Sequence, residues 1–235
     1  GLFEGTPPEI AIERLAAQDW LTLSQQNVQP IRAGRFHVHT PEFPAEPGAI
    51  DFVIPASQAF GTGQHRTTAG CLEMLGNMKT SGLVARRIAD IGTGTGLLGF
   101  AALRLWKLAH VTASDIDEVC ADVVAENAAL NAIGLGPKAG QMAFVVAEGM
   151  QHDLLAVNAP YDLLIANILA GPLVELAPEF ARHTARGGSV LLAGLLAGEQ
   201  EAAVRRAYRR AGLHLVARLQ RGDWAILWLR KRRGR

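Results

Sequence analysis

Arg87-Ile88-Ala89-Asp90-Ile91-Gly92-Thr93-Gly94-Thr95-Gly96-Leu97-Leu98 is the stretch on which the reading of this chain turns. A short apolar run meets three glycines at alternate positions, and a helical pattern begins at Leu97. Glycine accepts the positive φ of a tight turn and lets a ligand approach the backbone at a helix N-terminus. Strand, glycine turn and helix in that order open the first crossover of a doubly wound sheet, where ligands bind beyond the strand ends. The same alternation continues outward. Strands are predicted at Arg87–Ile91, Val111–Asp115, Ala143–Ala147, Asp162–Asn167 and Ser189–Gly194, each an apolar run without clean two-residue alternation, as in strands covered on both faces. Helices are predicted over Leu97–Leu108, Glu118–Asn131, Pro172–Thr184 and Gly198–Ala211. Pro172 suits a first helical position, and Pro178 predicts a kink or break. The pattern implies right-handed βαβ units and a parallel sheet.

The C-terminal end differs. Leu213–Leu219 and Trp224–Leu229 are β-rich and are separated by Gln220-Arg221-Gly222-Asp223, which leaves no room for a crossover helix and reads as an antiparallel hairpin. The expected fold is α/β, a Rossmann-like doubly wound seven-stranded sheet, mostly parallel with a C-terminal antiparallel hairpin. Such a hairpin separates the methyltransferase version of this architecture from the dehydrogenase version. Upstream, Pro7–Ala17 reads as a short helix and Arg66–Met78 as a longer one. Arg35–His39 and Ile50–Ile54 read as strands joined through Pro41, Pro44 and Pro47.

Composition narrows the classes. With 235 residues, 49% of them hydrophobic, the chain can bury one ordinary core. Its 23 basic and 22 acidic residues leave a net charge of +1, so no direct nucleic-acid partner is expected from overall charge. Cys71 and Cys120 lack metal-ligand spacing and read as reduced thiols on helices. No apolar run reaches membrane-spanning length and no signal peptide opens the sequence, so no membrane partner and a cytoplasmic location are expected. Nothing in the sequence sets an oligomeric state.

The candidate site is assembled from separate stretches. Asp115 closes the second strand about twenty residues after the glycine loop, where a carboxylate can accept hydrogen bonds from both hydroxyls of a ribose. Nicotinamide binders pair such an acid with G-x-G-x-x-G and a pyrophosphate. Here the spacing is G-x-G-x-G and Asp90 precedes it. An acid there favours the cationic sulfonium and amine of S-adenosyl-L-methionine, the expected cofactor. Asn167, after the fourth strand, belongs beside the first strand in this fold. Its amide oxygen could accept a hydrogen bond from an amine nucleophile, although asparagine also caps helices. Phe60-Gly61-Thr62-Gly63-Gln64-His65-Arg66-Thr67-Thr68 lacks the ending of a phosphate loop and could form a flap, or a plain loop and helix cap. His37 and His39 share a strand face, but with no third ligand in view no metal is expected.

Taken together, Ala59–Gly63, His65, Thr67-Thr68, the glycine loop, Asp115-Ile116-Asp117 and Asn167-Ile168-Leu169-Ala170-Gly171-Pro172-Leu173 resemble the ribosomal protein L11 methyltransferases (PrmA-type). The resemblance runs from about Asp19-Trp20 to the C-terminus. The flap and the Asn167–Leu173 stretch are specific to that family, and the glycine loop to its wider class. Gln64 and Arg66 stand at variable flap places, and Thr93 and Thr95 stand where cysteine and serine are common. The resemblance implies cofactor contacts at Thr68, Gly92, Asp115 and Asn167, extended to Gly94, Phe60, Gly61 and Thr62, with Asn167 as the catalytic residue. It implies a ribosomal protein substrate methylated on lysine ε-amino groups and an N-terminal α-amino group. It also implies a division into residues 1–17, the remnant of an N-terminal substrate-recognition domain; 18–58, a linker and small strand region; and 59–235, the S-adenosylmethionine-binding catalytic domain.

Methyl transfer needs a neutral amine, and neutralising a lysine at pH 7 costs about 4.6 kcal/mol. No compelling general base is visible; His65 is the nearest, and a hydrogen-bonding role suits it better. Catalysis by alignment through Asn167 is the expected mechanism. Alternatives are a methyltransferase of another protein or small amine, a truncated cofactor-binding module, and, more distantly, an NAD-dependent oxidoreductase.

Overall fold

The computed structural model describes residues 29–55 and 66–232. Its main sheet has eight strands, one more than expected. In chain order after a small N-terminal sheet come α1 (Arg66–Thr80), β4 (Arg87–Ile91), α2 (Leu97–Leu105), β5 (His110–Asp115), α3 (Val119–Leu130), β6 (Gly134–Leu135) and β7 (Gln141–Val146). These are followed by α4 (Asp153–Asn158), β8 (Tyr161–Asn167), α5 (Ala170–Glu175), α6 (Ala177–His183), β9 (Thr184–Leu196), α7 (Glu199–Arg210), β10 (Leu213–Arg221) and β11 (Trp224–Lys231). The strand order is β10-β11-β9-β8-β4-β5-β7-β6. β11 runs antiparallel to both β9 and β10, and the other neighbours are parallel. The additional strand is β6, a two-residue parallel pairing with the start of β7 at the sheet edge; two residues carry no period that a sequence pattern could register.

Alternation along the central strands feeds two apolar layers. Ile88, Leu163, Ile165, Leu191 and Ile226 join one, with α1, α2 and α3. Ala89, Leu164, Leu192 and Leu227, their neighbours in sequence, join the other, with α5, α6 and α7. Side chains of a strand point to opposite faces in turn, so a strand covered on both sides must be apolar throughout. Both cysteines are free and buried, Cys71 in α1 and Cys120 in α3.

The small sheet comprises β1 (Ile31–Ala33), β2 (Phe36–His39) and β3 (Ile50–Val53). β2 pairs antiparallel with β1 and parallel with β3. Phe36, Val38 and Phe52 bury into the same cluster as Leu72 and Leu75 of α1. Asn131, just past α3, clamps β3 as a strand would: its amide donates to Val53 O at 2.7 Å and accepts from Val53 N at 2.8 Å.

The expected helix over Pro172–Thr184 is two helices. Leu176 ends α5 and precedes α6, with Pro178 in the first turn of the second, where its missing N–H costs nothing. The short α4 was not anticipated; Tyr161 anchors it by donating its hydroxyl to Leu155 O at 2.8 Å. Pro7–Ala17, the proposed boundaries at residues 17 and 58, and Phe60–His65 lie outside the described residues. No helix among the described residues is long and apolar enough to cross a membrane.

Candidate active site

Three adjacent parallel strands, β8, β4 and β5, end side by side and carry the expected residues at their C-terminal ends. After β4 the chain turns through Gly92, Gly94 and Gly96, with φ of 70°, 56° and 84°. Gly92 N and Thr93 N both donate to Ser114 O, at 2.8 and 3.0 Å, tying the loop to β5. Gly96 is the N-cap of α2 and has no side chain to cap it. Asp90 does the capping from below: its Oδ2 accepts from Gly99 N at 2.9 Å and from Thr93 Oγ1 at 2.6 Å. Asp90 is 1% exposed. Burial pushes its carboxyl up to about 7 against these two hydrogen bonds, and the charge of Asp115 adds to the rise.

Asp115 stands half-buried at the end of β5. Its Oδ2 accepts from Gly94 N at 2.9 Å, and its Oδ1 from Asp117 N at 3.2 Å. Each carboxylate oxygen keeps a second lone pair, enough for two hydroxyls. Next to it Ile116 is 69% exposed, an apolar surface that folding leaves in water. Asn127 of α3 donates to Thr95 O at 3.0 Å and holds the far side of the loop. Sequence alone assigns a role to neither Ile116, quoted only inside its motif, nor Asn127. For Ile116 the available signal was an apolar residue between two acids at a strand end.

Asn167 ends β8, and β8 lies directly beside β4. Its Nδ2 donates to Thr68 Oγ1 of α1 at 3.3 Å, across 99 positions of sequence. The helix-cap reading of Asn167 does not hold, because the residue preceding α5 is Leu169 and no side chain caps that helix. Ile168 then passes through a slot between two glycines. A Cβ on Gly92 would lie 2.3 Å from Ile168 Cγ2, and one on Gly194 would lie 2.2 Å from Ile168 O. Gly194 was not singled out from sequence, since no motif surrounds it. The structure thus brings Thr68, Gly92, Gly94, Asp115 and Asn167 to one end of the sheet. Phe60, Gly61 and Thr62 lie outside the described residues.

The cradle fits S-adenosylmethionine: a glycine turn with close backbone approach, a carboxylate with spare acceptors, an exposed apolar residue and a buried acid beneath. His37 and His39 lie elsewhere, on β2, and do have a third group. Asp51 of β3 accepts from His37 Nδ1 at 2.6 Å and from His39 Nε2 at 2.8 Å. The other nitrogen of His39 meets Thr40 O at 2.7 Å, so both nitrogens face acceptors. The two distances to Asp51 are hydrogen-bond lengths. They are shorter than the roughly 3.3 Å between ligand atoms on a tetrahedral zinc with bonds of 2.0–2.1 Å. The trio reads as a hydrogen-bonded clasp.

Comparison with known proteins narrows the reading further. The family model for ribosomal protein L11 methyltransferase (PrmA) matches residues 2–232. The L11 methyltransferase of Rhizobium meliloti is 43% identical over 226 residues, covering 94% of this chain and 74% of the relative. That of Brucella suis is 40% identical over 220 residues, covering 93% and 74%. Among solved structures, a ribosomal protein L11 methylase from Lactobacillus delbrueckii subsp. bulgaricus superposes with a TM-score of 0.71 at 27% identity, over 87% of this chain and all of that one. The N-methyltransferase NodS from Bradyrhizobium japonicum, solved with S-adenosyl-L-homocysteine, shares the fold at 12% identity and a TM-score of 0.58, over 75% of this chain and 93% of that one. Matched almost from end to end by one family model and at two-fifths identity by that family's curated members, the chain belongs to the ribosomal protein L11 methyltransferase (PrmA) family, S-adenosylmethionine-dependent enzymes.

Proposed function

We propose that this enzyme methylates ribosomal protein L11 in the cytoplasm, on lysine ε-amino groups and the N-terminal α-amino group, by aligning a neutral amine rather than by a dedicated base. The observation that carries this reading is the Asn167 amide. With its nitrogen committed to Thr68, its carbonyl oxygen is left to accept a hydrogen bond from the incoming amine. That bond aims the nitrogen lone pair at the methyl carbon, the kind of positioning that accounts for large rate gains without acid–base chemistry. S-adenosylmethionine, when bound, supplies a methyl group on a positively charged sulfur, open to in-line displacement.

The chain's own residues would hold the cofactor as follows. Asp115 accepts from the ribose hydroxyls and Ile116 covers a face of the adenine. The backbone of Gly92 and Gly94 lies against the remainder, with Phe60, Gly61, Thr62 and Thr68 completing the contacts. A low-dielectric pocket lowers the cost of holding a lysine neutral, and solvent takes the proton.

The test is transfer of radiolabelled methyl groups to free L11, followed by mapping of the labelled residues. Label on lysine and N-terminal amines is expected. No label on L11 in the presence of bound cofactor would reassign the substrate. Calorimetric binding of NAD in place of S-adenosylmethionine would overturn the cofactor assignment.

A further inference from the structure

The net charge of +1 averages two segments of opposite sign. Residues 199–235 hold eleven of the 23 basic residues and three of the 22 acidic ones. Those 37 residues therefore carry a surplus of eight positive charges, and the 198 before them a surplus of seven negative. Ten of the eleven are arginine, whose planar fork matches phosphate oxygens two at a time.

The fold gathers several of these arginines in one place, while Arg221 stands apart at the hairpin turn, paired with Glu73. Arg205, Arg206, Arg209 and Arg210 are all exposed on α7. Arg205 leans 3.4 Å from Glu201, whose carboxylate is already gripped by both arms of Arg218 at 2.8 Å. Arg206, Arg209 and Arg210 make no ion pair among the described residues. A groove of about 250 Å³ runs between helix and hairpin, lined by Arg205, Arg206 and Arg209 on one side and His214 on the other, over the buried Leu213 and Leu229.

Register fixes where this lies. Leu213 pairs with Lys231, and Arg230 with Ser189 near the start of β9. The groove is therefore at the end of the sheet where the parallel strands begin, opposite Gly92, Asp115 and Asn167. The exposed Arg182, Arg186, Arg230 and Arg232 share that end. Lys231 holds the hairpin to α6 and β9 there, donating to Ala181 O and Thr184 O at 2.6 and 2.9 Å.

We propose that this arginine-lined end is a second binding site, taking the phosphodiester backbone of double-helical RNA while the opposite end of the sheet carries out methyl transfer. Like charges crowded without carboxylate partners repel one another in the free protein, and an external polyanion relieves that. Arginines on several elements around and beyond a groove need a partner with many closely spaced charges, which a duplex backbone provides irrespective of sequence. An acidic polypeptide would have to match single carboxylates to single arginines. Base reading is not expected: Tyr208 is buried, and the Trp228 ring lies beneath Arg230 at 5.1 Å, so neither of these large rings is open for stacking.

The experiment is fluorescence anisotropy of the whole chain with a labelled RNA duplex of about 20 base pairs across a salt series, beside a labelled poly-glutamate of similar charge. Neutralisation of roughly three phosphates predicts a log–log salt slope of about −2.7, so that affinity falls about fortyfold from about 50 to 200 mM salt. Joint substitution Arg206→Glu, Arg209→Glu and Arg210→Glu, with a gentler triple-alanine version, should weaken binding by roughly tenfold or more and flatten the slope. The melting temperature and S-adenosylmethionine affinity should hold in both variants. Absence of binding at low salt, binding indifferent to both variants, or tighter binding of poly-glutamate than of RNA would each overturn the proposal. None of these readouts depends on methyl transfer.

Discussion

Asn167 makes one hydrogen bond to Thr68 and is proposed to make another, through its carbonyl oxygen, to the substrate amine; substitution at each partner separates the two. Asn167→Ala removes the acceptor and should lower kcat about a hundredfold, since a small misplacement of a reacting nitrogen costs that much. Cofactor affinity by calorimetry should change far less. Full turnover in that variant with cofactor affinity unchanged would rule the alignment role out. Thr68→Val leaves the acceptor in place but frees the amide to rotate, so a smaller loss, about tenfold, is expected in the same assay. The position of Asn167 beside the first strand was legible in the sequence from its place after a buried strand. Its partner was legible as a residue of interest, yet the bond between them was not, because 99 positions of chain separate them.

Elements meet where glycines leave room. The Ile168 segment leaving β8 is flanked by Gly92 and Gly194, both at positive φ. An alanine at Gly92 would meet the end of a side chain that can turn away, and about 2 kcal/mol of destabilisation is expected. At Gly194 the obstacle is the Ile168 carbonyl itself, which cannot move without displacing Asn167, so about 4 kcal/mol and loss of cofactor binding are expected. Chemical denaturation of the two variants side by side checks the order; equal losses would mean that the slot is looser than its geometry. Asn131→Ala should cost about 2 kcal/mol by the same measure, since both peptide groups of Val53 lose their partner. Gly92 was readable because it sits in a spaced glycine loop. Gly194 ends an ordinary apolar strand, and its role exists only once β8 and β9 lie side by side. α4 and β6 escaped notice for a simpler reason: six residues and two residues are too few to display a period.

At the scale of the molecule, the two-layer arrangement followed from uninterrupted apolar strands alternating with helices, but the opposing demands of its carboxyls did not. Asp51 pairs with His37 and His39 only because β2 and β3 run parallel across a proline-rich loop. Burial works against its ionisation, yet hydrogen bonds from both rings and from Glu46 N–H, with the charge on His39, hold it below the usual carboxylate range. A carboxyl depressed in this way stabilises the fold above its unfolded value near 3.9, and that contribution fades as pH falls through the folded one. Asp90 does the reverse. Its folded value of about 7 means that the native chain binds its proton more tightly than the unfolded chain, so its contribution declines as pH rises from about 4 to about 7. Denaturant titrations across pH should therefore show stability rising up to about pH 4 and falling from there towards about pH 7. Asp90→Asn keeps an acceptor for Thr93 and Gly99 but cannot ionise, and should flatten the decline on the neutral side. Asp51→Asn should remove part of the acid-side loss. The two residues share no hydrogen-bond partner, so the double variant should combine both changes additively. S-adenosylmethionine should restore neutral-side stability to the unmodified protein, because a cationic ligand above Asp90 favours the ionised carboxyl, and its affinity should rise with pH towards about 7. An affinity that is flat over that range in the unmodified chain would mean that Asp90 serves the loop alone and never feels the cofactor's charge.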